Sequence, residues 1–513
     1  MIQISQIKSQ TNATRGGKDD MAQLKYRRGI ILISLLMILS STCGGKRSEA
    51  SSPVDNQPLP NNSRFKPRLT GTIYYVSPTG NDSNPGTESQ PWRTIQNAAN
   101  TLVAGETVYI KAGTYPEQVT PLNSGSVDNY IVYAAYPGDT VTIDGNGLVL
   151  PSYESGLFVV EDRNYIRVSG LRVINAGPND NNAGIYVDNS DHIIIEKNYT
   201  YNTVSSGIGV WGSNNITIDG NEVELACNNG EQEDITVAGT DTFEIKNNYV
   251  HHGGPGTIGG EGIVAKDGSR NGKIYRNYVN NIKGDRTCLY LDAWDKYTYN
   301  IEVYQNTLQD CGAGISLASE MGGLLKNVNI YNNIVYHNRG NGLEIGNWGE
   351  EGISKRPIEN ITFINNTVFD NGYSAWGGGM FLENPDAKGI VIRNNIFSRN
   401  LTFQISNEIN LSAANLTVDH NLIDGFRGDI GEIYGSYYVE GDPKFVSSSG
   451  ANFHLQGNSP AIDEGSAVGA PNFDFDGNSR PQDGKGDGMA IYDMGAYEVR
   501  LYSERVYLPL VLK

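Results

Sequence analysis

From about residue 184 to residue 421, apolar residues recur at every second position in short runs, each closed by a turn. A period of two predicts β-strands, because successive side chains on a strand point to opposite faces. One phrase, an apolar residue followed three positions later by Asn, ends at Asn198, Asn221, Asn248, Asn277, Asn306, Asn333, Asn366, Asn395 and Asn421, at intervals of 23 to 33 residues. Between these lies a second phrase, Gly followed by alternating apolar residues, as in Gly184-Ile-Tyr-Val187, Gly207-Ile-Gly-Val210, Gly314-Ile-Ser-Leu317 and Gly342-Leu-Glu-Ile345. Each repeat therefore holds several short strands separated by turns.

Such a unit cannot bury a core alone, so the units must stack, each strand pairing in parallel with its equivalent one coil away. The architecture predicted for residues 156–426 is an all-β parallel β-helix, a solenoid. Stacking at about 4.8 Å per coil sets the repeated Asn side chains one above another, where each can hydrogen-bond its neighbours in an internal ladder. Leucine-rich repeats have similar periods but need a Leu consensus and a helix per unit, and neither is present. The open ends need caps. Residues 94–102 place Ile95, Ala98, Ala99 and Leu102 on one helical face and read as an N-terminal helical cap between strands at 74–76 and 107–110.

The stretch Tyr74-Tyr-Val-Ser-Pro-Thr-Gly-Asn-Asp82 through Gly113-Thr-Tyr115 resembles the opening of secreted right-handed parallel β-helix proteins that act on polysaccharides. Ser459-Pro-Ala-Ile-Asp463, Asp474-Phe-Asp-Gly-Asn-Ser-Arg-Pro481 and Asp493-Met-Gly-Ala-Tyr-Glu498 resemble the terminal module of bacterial surface β-helix proteins. The organisation expected is a signal over 1–43, a flexible linker over 44–69, a right-handed β-helix with its cap over 70–426, a C-terminal capping or anchor-like module over 427–500 and an apolar tail over 501–513. Lyases, glycosidases, epimerases and adhesins share this fold, so it implies export and not one chemistry.

Composition narrows the partners. The chain has 513 residues, a formal charge of −18, 61 Gly, 30 Tyr and 4 Cys, which excludes a small disulfide scaffold and a mainly disordered chain. The acidic balance repels phosphate backbones, so nucleic acid is not an expected partner, whereas an acidic or neutral polysaccharide, the former cation-bridged, is. Lys25, Arg27 and Arg28 precede an apolar run at 29–39, the length of a signal segment and too short to span a bilayer. Ser41-Thr-Cys-Gly44 resembles a bacterial lipobox in which Cys43 is acylated, although Thr42 departs from that pattern; a plain secretory signal is the alternative. The expected location is secreted or at the bacterial cell surface, as a monomer, with membrane contact only through that lipid. Of Cys227, Cys288 and Cys311 at most one pair can form, leaving one buried thiol.

The coils that depart furthest from the repeat carry the candidate chemistry. Glu233-Asp-Ile-Thr-Val-Ala238, Glu261-Gly-Ile-Val-Ala-Lys266, Thr287-Cys-Leu-Tyr-Leu-Asp292 and Ala313-Gly-Ile-Ser-Leu-Ala318 align as one facet of successive coils. Glu233 and Glu261 then stack at one strand start, with Asn229 close in sequence, and Lys266 lies one coil from Asp292. Two carboxylates about 5 Å apart repel unless a cation lies between them, and oxygen ligands suit Ca²⁺. Trp211, Tyr290, Trp294 and Trp348 fall near outward positions suited to stacking on sugar rings, with Glu344 on the same facet. Alternation sends Lys266 outward, where a nearby cation would push its amine towards the neutral form that a base requires.

The spacing of Glu261 and Lys266 resembles the chondroitinase B and alginate lyase family, in which a glutamate binds Ca²⁺ and a lysine five residues on is the base. The resemblance implies Glu233 and Glu261 as metal ligands and Lys266 as the residue that takes the C5 proton of a uronate in β-elimination. Those enzymes carry an arginine one coil beyond the lysine; Asp292 stands there in this chain, with Arg286 the partial substitute. The aspartate-rich calcium motif of family nine pectate lyases is not evident. A glycosidase using two of Asp292, Asp295, Glu320 and Glu344 is the second reading, and a non-catalytic glycan-binding surface protein the third. His251 and His252 are expected on opposite faces of a strand, which argues against a shared metal.

Overall fold

The computed structural model describes residues 71–254, 256 and 259–500. The expected signal segment, Cys43, the linker and the apolar tail lie outside the described residues. Three parallel sheets of thirteen, thirteen and ten strands form the solenoid, the third beginning only at Ser155–Glu161, and each inner strand pairs with its equivalent in the coils before and after it. The first sheet begins at Ile73–Val76, earlier than the Asn repeat, and runs to Leu416–Asp419. The predicted helix is present as Ile95–Thr101, with the Thr94 side chain capping the Asn97 amide, and its buried Ile95, Ala98 and Ala99 close the N-terminal core.

The corner between the first and second sheets is the most regular part. A residue in the left-handed region, such as Lys197, Asn247, Arg276, Gln305 or Asn332, bends the chain, and the ladder asparagine follows at once. From Asn198 to Asn421 each Nδ2 donates to the next coil's Oδ1 at 3.0 Å in all eight steps. The other Nδ2 hydrogen bonds a strand carbonyl of the preceding coil, as from Asn277 to Ile245 at 2.9 Å. A second, shorter ladder, Asn338, Asn371 and Asn400 ending on Gln404, follows the second sheet and was not legible in the repeat phrase.

Residues 426–440 close the C-terminal coil: Ile433 and Ser436 donate to the carbonyls of Ile405 and Val418. The segment from about residue 443 to 499 does not sit on that end, where a capping module from 427 was expected. It lies along the flank, with Phe445, Phe453, Ile462, Met494 and Tyr497 packed on Ile334, Phe369, Ile396 and Leu422 of the second sheet. Gln305, Asn332, Asn365 and Asn394, the left-handed corner residues, donate to its backbone carbonyls. Its motifs are structural: Arg480 and Glu498 are an ion pair at 3.4 Å with both side chains fully buried. Cys288 and Cys311 form a disulfide, and Cys227 is the buried free thiol.

Candidate functional site

The third sheet positions the site. Its register pairs Ile208, Ile235, Ile263, Leu289, Ile315 and Leu343, which point into the core. Alternation then turns two rows outward. One runs Gly209, Thr236, Val264, Tyr290, Ser316 and Glu344, and the other Trp211, Ala238, Lys266, Asp292 and Ala318. The facet expected from sequence is therefore the facet that forms, with Lys266 opposite Asp292.

Charges occupy its centre. Lys266 Nζ stands 2.7 Å from Glu233 Oε1 and 3.1 Å from Gln232 Oε1, and Thr236 Oγ1 donates to the other Glu233 oxygen at 2.8 Å. Arg286 pairs with Glu261 at 3.1 Å. Burial works to lower the Lys266 pKa, but the charge and hydrogen bond of Glu233, backed by Glu261 and Asp292, outweigh it and the net direction is upward. In this arrangement Glu233, Glu261 and Asp292 hold Lys266 as an ammonium, and the push towards neutrality expected of a lysine beside a bound cation does not operate.

Asp292 is 2 % exposed and accepts hydrogen bonds from the backbone amides of Trp294 and Glu320; burial pushes it up to about 6. Glu320 receives the Tyr290 hydroxyl, and burial together with the charge of Asp292 raises it to about 8. Glu344 accepts from Ser316 and, at 2.8 Å, from Asn341, and burial raises it to about 7. At neutral pH the facet thus holds ionised and protonated carboxyl groups side by side.

Aromatic platforms flank the charges. Trp211 stacks on Tyr186 with centroids 5.0 Å apart, next to Val159 and Ala183. Trp348 packs on Val264, Tyr290 and Ala318 on the other side. Both indoles fold back over a glycine two residues earlier: a Cβ on Gly209 would lie 2.2 Å from the Trp211 ring, and one on Gly346 would lie 2.0 Å from the Trp348 ring. Glycine is required there because the ring occupies the place of a side chain. The phrase Gly-x-Trp, present at 209–211 and 346–348, was the signal that sequence reading passed over.

Three expected positions differ. Asn229 is exposed on the loop before the facet, and its backbone amide binds the Val204 carbonyl; among the described residues no hydrogen bond joins it to Glu233 or Glu261. Trp294 adopts a left-handed turn and serves through its backbone, its amide holding Asp292 and its carbonyl accepting Gly323. Arg286 does not stand free beside Lys266 but donates through Nη1 to Glu261. Gln232, which sequence reading left out, shares the Lys266 ammonium with Glu233.

The donor chemistry here is all oxygen, from Glu233, Glu261, Gln232 and Asp292, which fits a hard divalent cation in kind. Beneath it Asp234 is fully buried, with neither carboxyl oxygen hydrogen-bonded among the described residues; burial and the charges of Glu261 and Glu233 hold its pKa well above the usual range. The point between Glu233 and Gln232 is taken by the Lys266 ammonium, so a metal ion could enter only by exchange with it.

Residues 74–277 match the family described as Pel9A-like, right handed beta helix region. The chain is 29 % identical over 436 residues to "Uncharacterized protein YwoF" of Bacillus subtilis (strain 168), covering 76 % of this chain and 92 % of that protein. It is 30 % identical over 165 residues to "Pectate lyase PEL9" of Emericella nidulans, covering 30 % of this chain and 39 % of that protein. It is 24 % identical over 397 residues to "Pectate lyase L" of Paenibacillus polymyxa (strain SC2), covering 70 % and 79 %. The chain is a right-handed parallel β-helix protein, similar in sequence to these lyases over the stated residues.

Proposed function

We propose that the protein is an extracellular polysaccharide lyase that cleaves a uronate-containing, pectate-like polymer by β-elimination on the outer face of the third sheet. The observation that carries this reading is the convergence of Lys266, Glu233, Glu261, Arg286 and Asp292 on adjacent coils, between the Trp211 and Trp348 platforms. The pectate lyases it resembles support a polysaccharide as substrate.

The platforms bind sugar faces by stacking, and the two cations supply the attraction for a uronate carboxylate. Once the ammonium leaves Glu233 and gives up its proton, Lys266 can take the proton from C5. The electron pair forms the C4–C5 double bond, and the C4–O bond breaks. The leaving oxygen requires a proton, and Glu320, protonated up to about pH 8, holds one beside Tyr290. Calcium, held by Glu233, Glu261 and Gln232 when bound, would neutralise the substrate carboxylate and acidify C5–H.

A glycosidase is the second reading, favoured by one observation: the Asp292 and Glu320 carboxyl groups have pKa values pushed apart to about 6 and about 8, as an acid and a base require. Incubation with pectate, alginate, chondroitin and heparin-type polymers separates the two. Ultraviolet-absorbing unsaturated ends support the lyase, new reducing ends without that absorbance support the glycosidase, and binding with no turnover leaves a glycan-binding protein.

A further inference from the structure

A cluster on a different face carries its own chemistry. Glu222–Glu224 and Tyr249–His251 are neighbouring strands of the second sheet, with Glu224 in register with His251. His252 follows that strand with φ of 54°, in the left-handed region. This bend cancels the strand alternation that would send the two imidazoles to opposite faces. The histidines instead meet, Nδ1 to Nδ1 at 2.6 Å with the rings edge to face, and one donor atom each from Glu224, His251 and His252 lies within 4.8 Å of the others.

The surroundings orient these donors. The Tyr199 hydroxyl donates to Glu224 Oε2 at 2.6 Å, and Glu222 Oε1 lies 3.2 Å from His251 Nε2. With its Nε2 proton directed to Glu222, His251 presents a lone pair at Nδ1, the arrangement by which a carboxylate fixes the tautomer of a metal-binding histidine. The His251 ring is held against Tyr249 at 4.0 Å. One coil on, in register with His251, Asn280 has a buried Oδ1 without a hydrogen-bond partner among the described residues.

We propose that Glu224, His251 and His252 bind a divalent transition-metal ion of the Zn²⁺ class. Two imidazole nitrogens and one carboxylate suit such an ion, whereas Ca²⁺ and Mg²⁺ take all-oxygen sets. The ion replaces the proton shared between the two Nδ1 atoms and joins adjacent coils at the start of the segment that leads to Glu261. This site is independent of the proposed lyase chemistry, and its role is to fix backbone.

The test is calorimetric titration of tag-free, chelator-treated protein with ZnCl2, repeated with CoCl2 while following the visible ligand-field absorbance. One ion per chain is expected, with Ca²⁺ in excess failing to displace it. His252→Gln, at an exposed position, and Glu224→Gln should each weaken binding at least about tenfold and change the cobalt spectrum, while His420→Gln changes neither. Circular dichroism confirms the fold of each variant. Absence of one-to-one binding, or affinity unchanged in His252→Gln and Glu224→Gln, overturns the proposal, as does equal displacement by Ca²⁺.

Discussion

Two rows of side chains run along the same solenoid and obey opposite rules. At the corner between the first and second sheets every coil from Asn198 to Asn421 repeats one residue, asparagine, with one geometry and one 3.0 Å contact. On the outer face of the third sheet the row Trp211, Ala238, Lys266, Asp292, Ala318 sets three different functional side chains among small alanines. Both rows are equally fixed by parallel register, so position alone does not separate them. Stacked identity satisfies buried polar groups in each coil by the same device, whereas a site needs different groups at one spacing, and the β-helix supplies that spacing without cost to its core.

The comparison is broken most severely at Lys266. Lys266→Ala should lower turnover by about 10²–10⁴ with the melting temperature little changed, measured on the polymer found to be substrate. Since Glu233 holds the amine protonated and raises its pKa, kcat/KM of the metal-free enzyme should climb as pH rises through the alkaline range towards that pKa. Added Ca²⁺, by engaging Glu233, should move the rising limb to lower pH; a limb that stays in place would separate the metal from the lysine.

Asn277→Leu tests the other row. It removes four hydrogen bonds, two accepted from Asn248 and two donated to Ile245 and Asn306, and should cost roughly 1–3 kcal/mol for each buried group left unpaired, read by urea denaturation. Unchanged stability would show that the ladder is decorative.

Glu320→Gln sharpens the contrast through pH. The raised folded pKa means that Glu320 folds protonated, so its contribution is present below about pH 4.5 and is lost as pH rises through about 8. The Gln variant, which cannot ionise, should gain stability over the wild type at pH 9 relative to pH 5, by on the order of a few kcal/mol. Trp211→Ala and Trp348→Ala should have the smallest effects, raising KM several-fold with kcat nearly kept, because stacking binds ground and transition states alike.

The asparagine row was legible because its spacing survives loops of varied length, and the facet from Glu233 to Ala318 because alternation is strict. Partner choice was not. Whether Lys266 meets Glu233 or Asp292 depends on side-chain reach across coils, and both lie one coil away. His251 and His252 were misread because a left-handed backbone at one residue reverses a facing that period two takes for granted. The flank position of residues 443–499 was hidden for a related reason: its polar contacts use corner residues such as Gln305 and Asn332, which look like ordinary turn residues in the repeat.

The central claim, that the outer face of the third sheet is the substrate site, is tested most directly by a crystal structure of Lys266→Ala with a uronate oligosaccharide. The account predicts sugar rings along that face between Trp211 and Trp348, with a uronate carboxylate at Arg286 and C5 facing position 266. An oligosaccharide seated on the first or second sheet, or at the flank module, would contradict it.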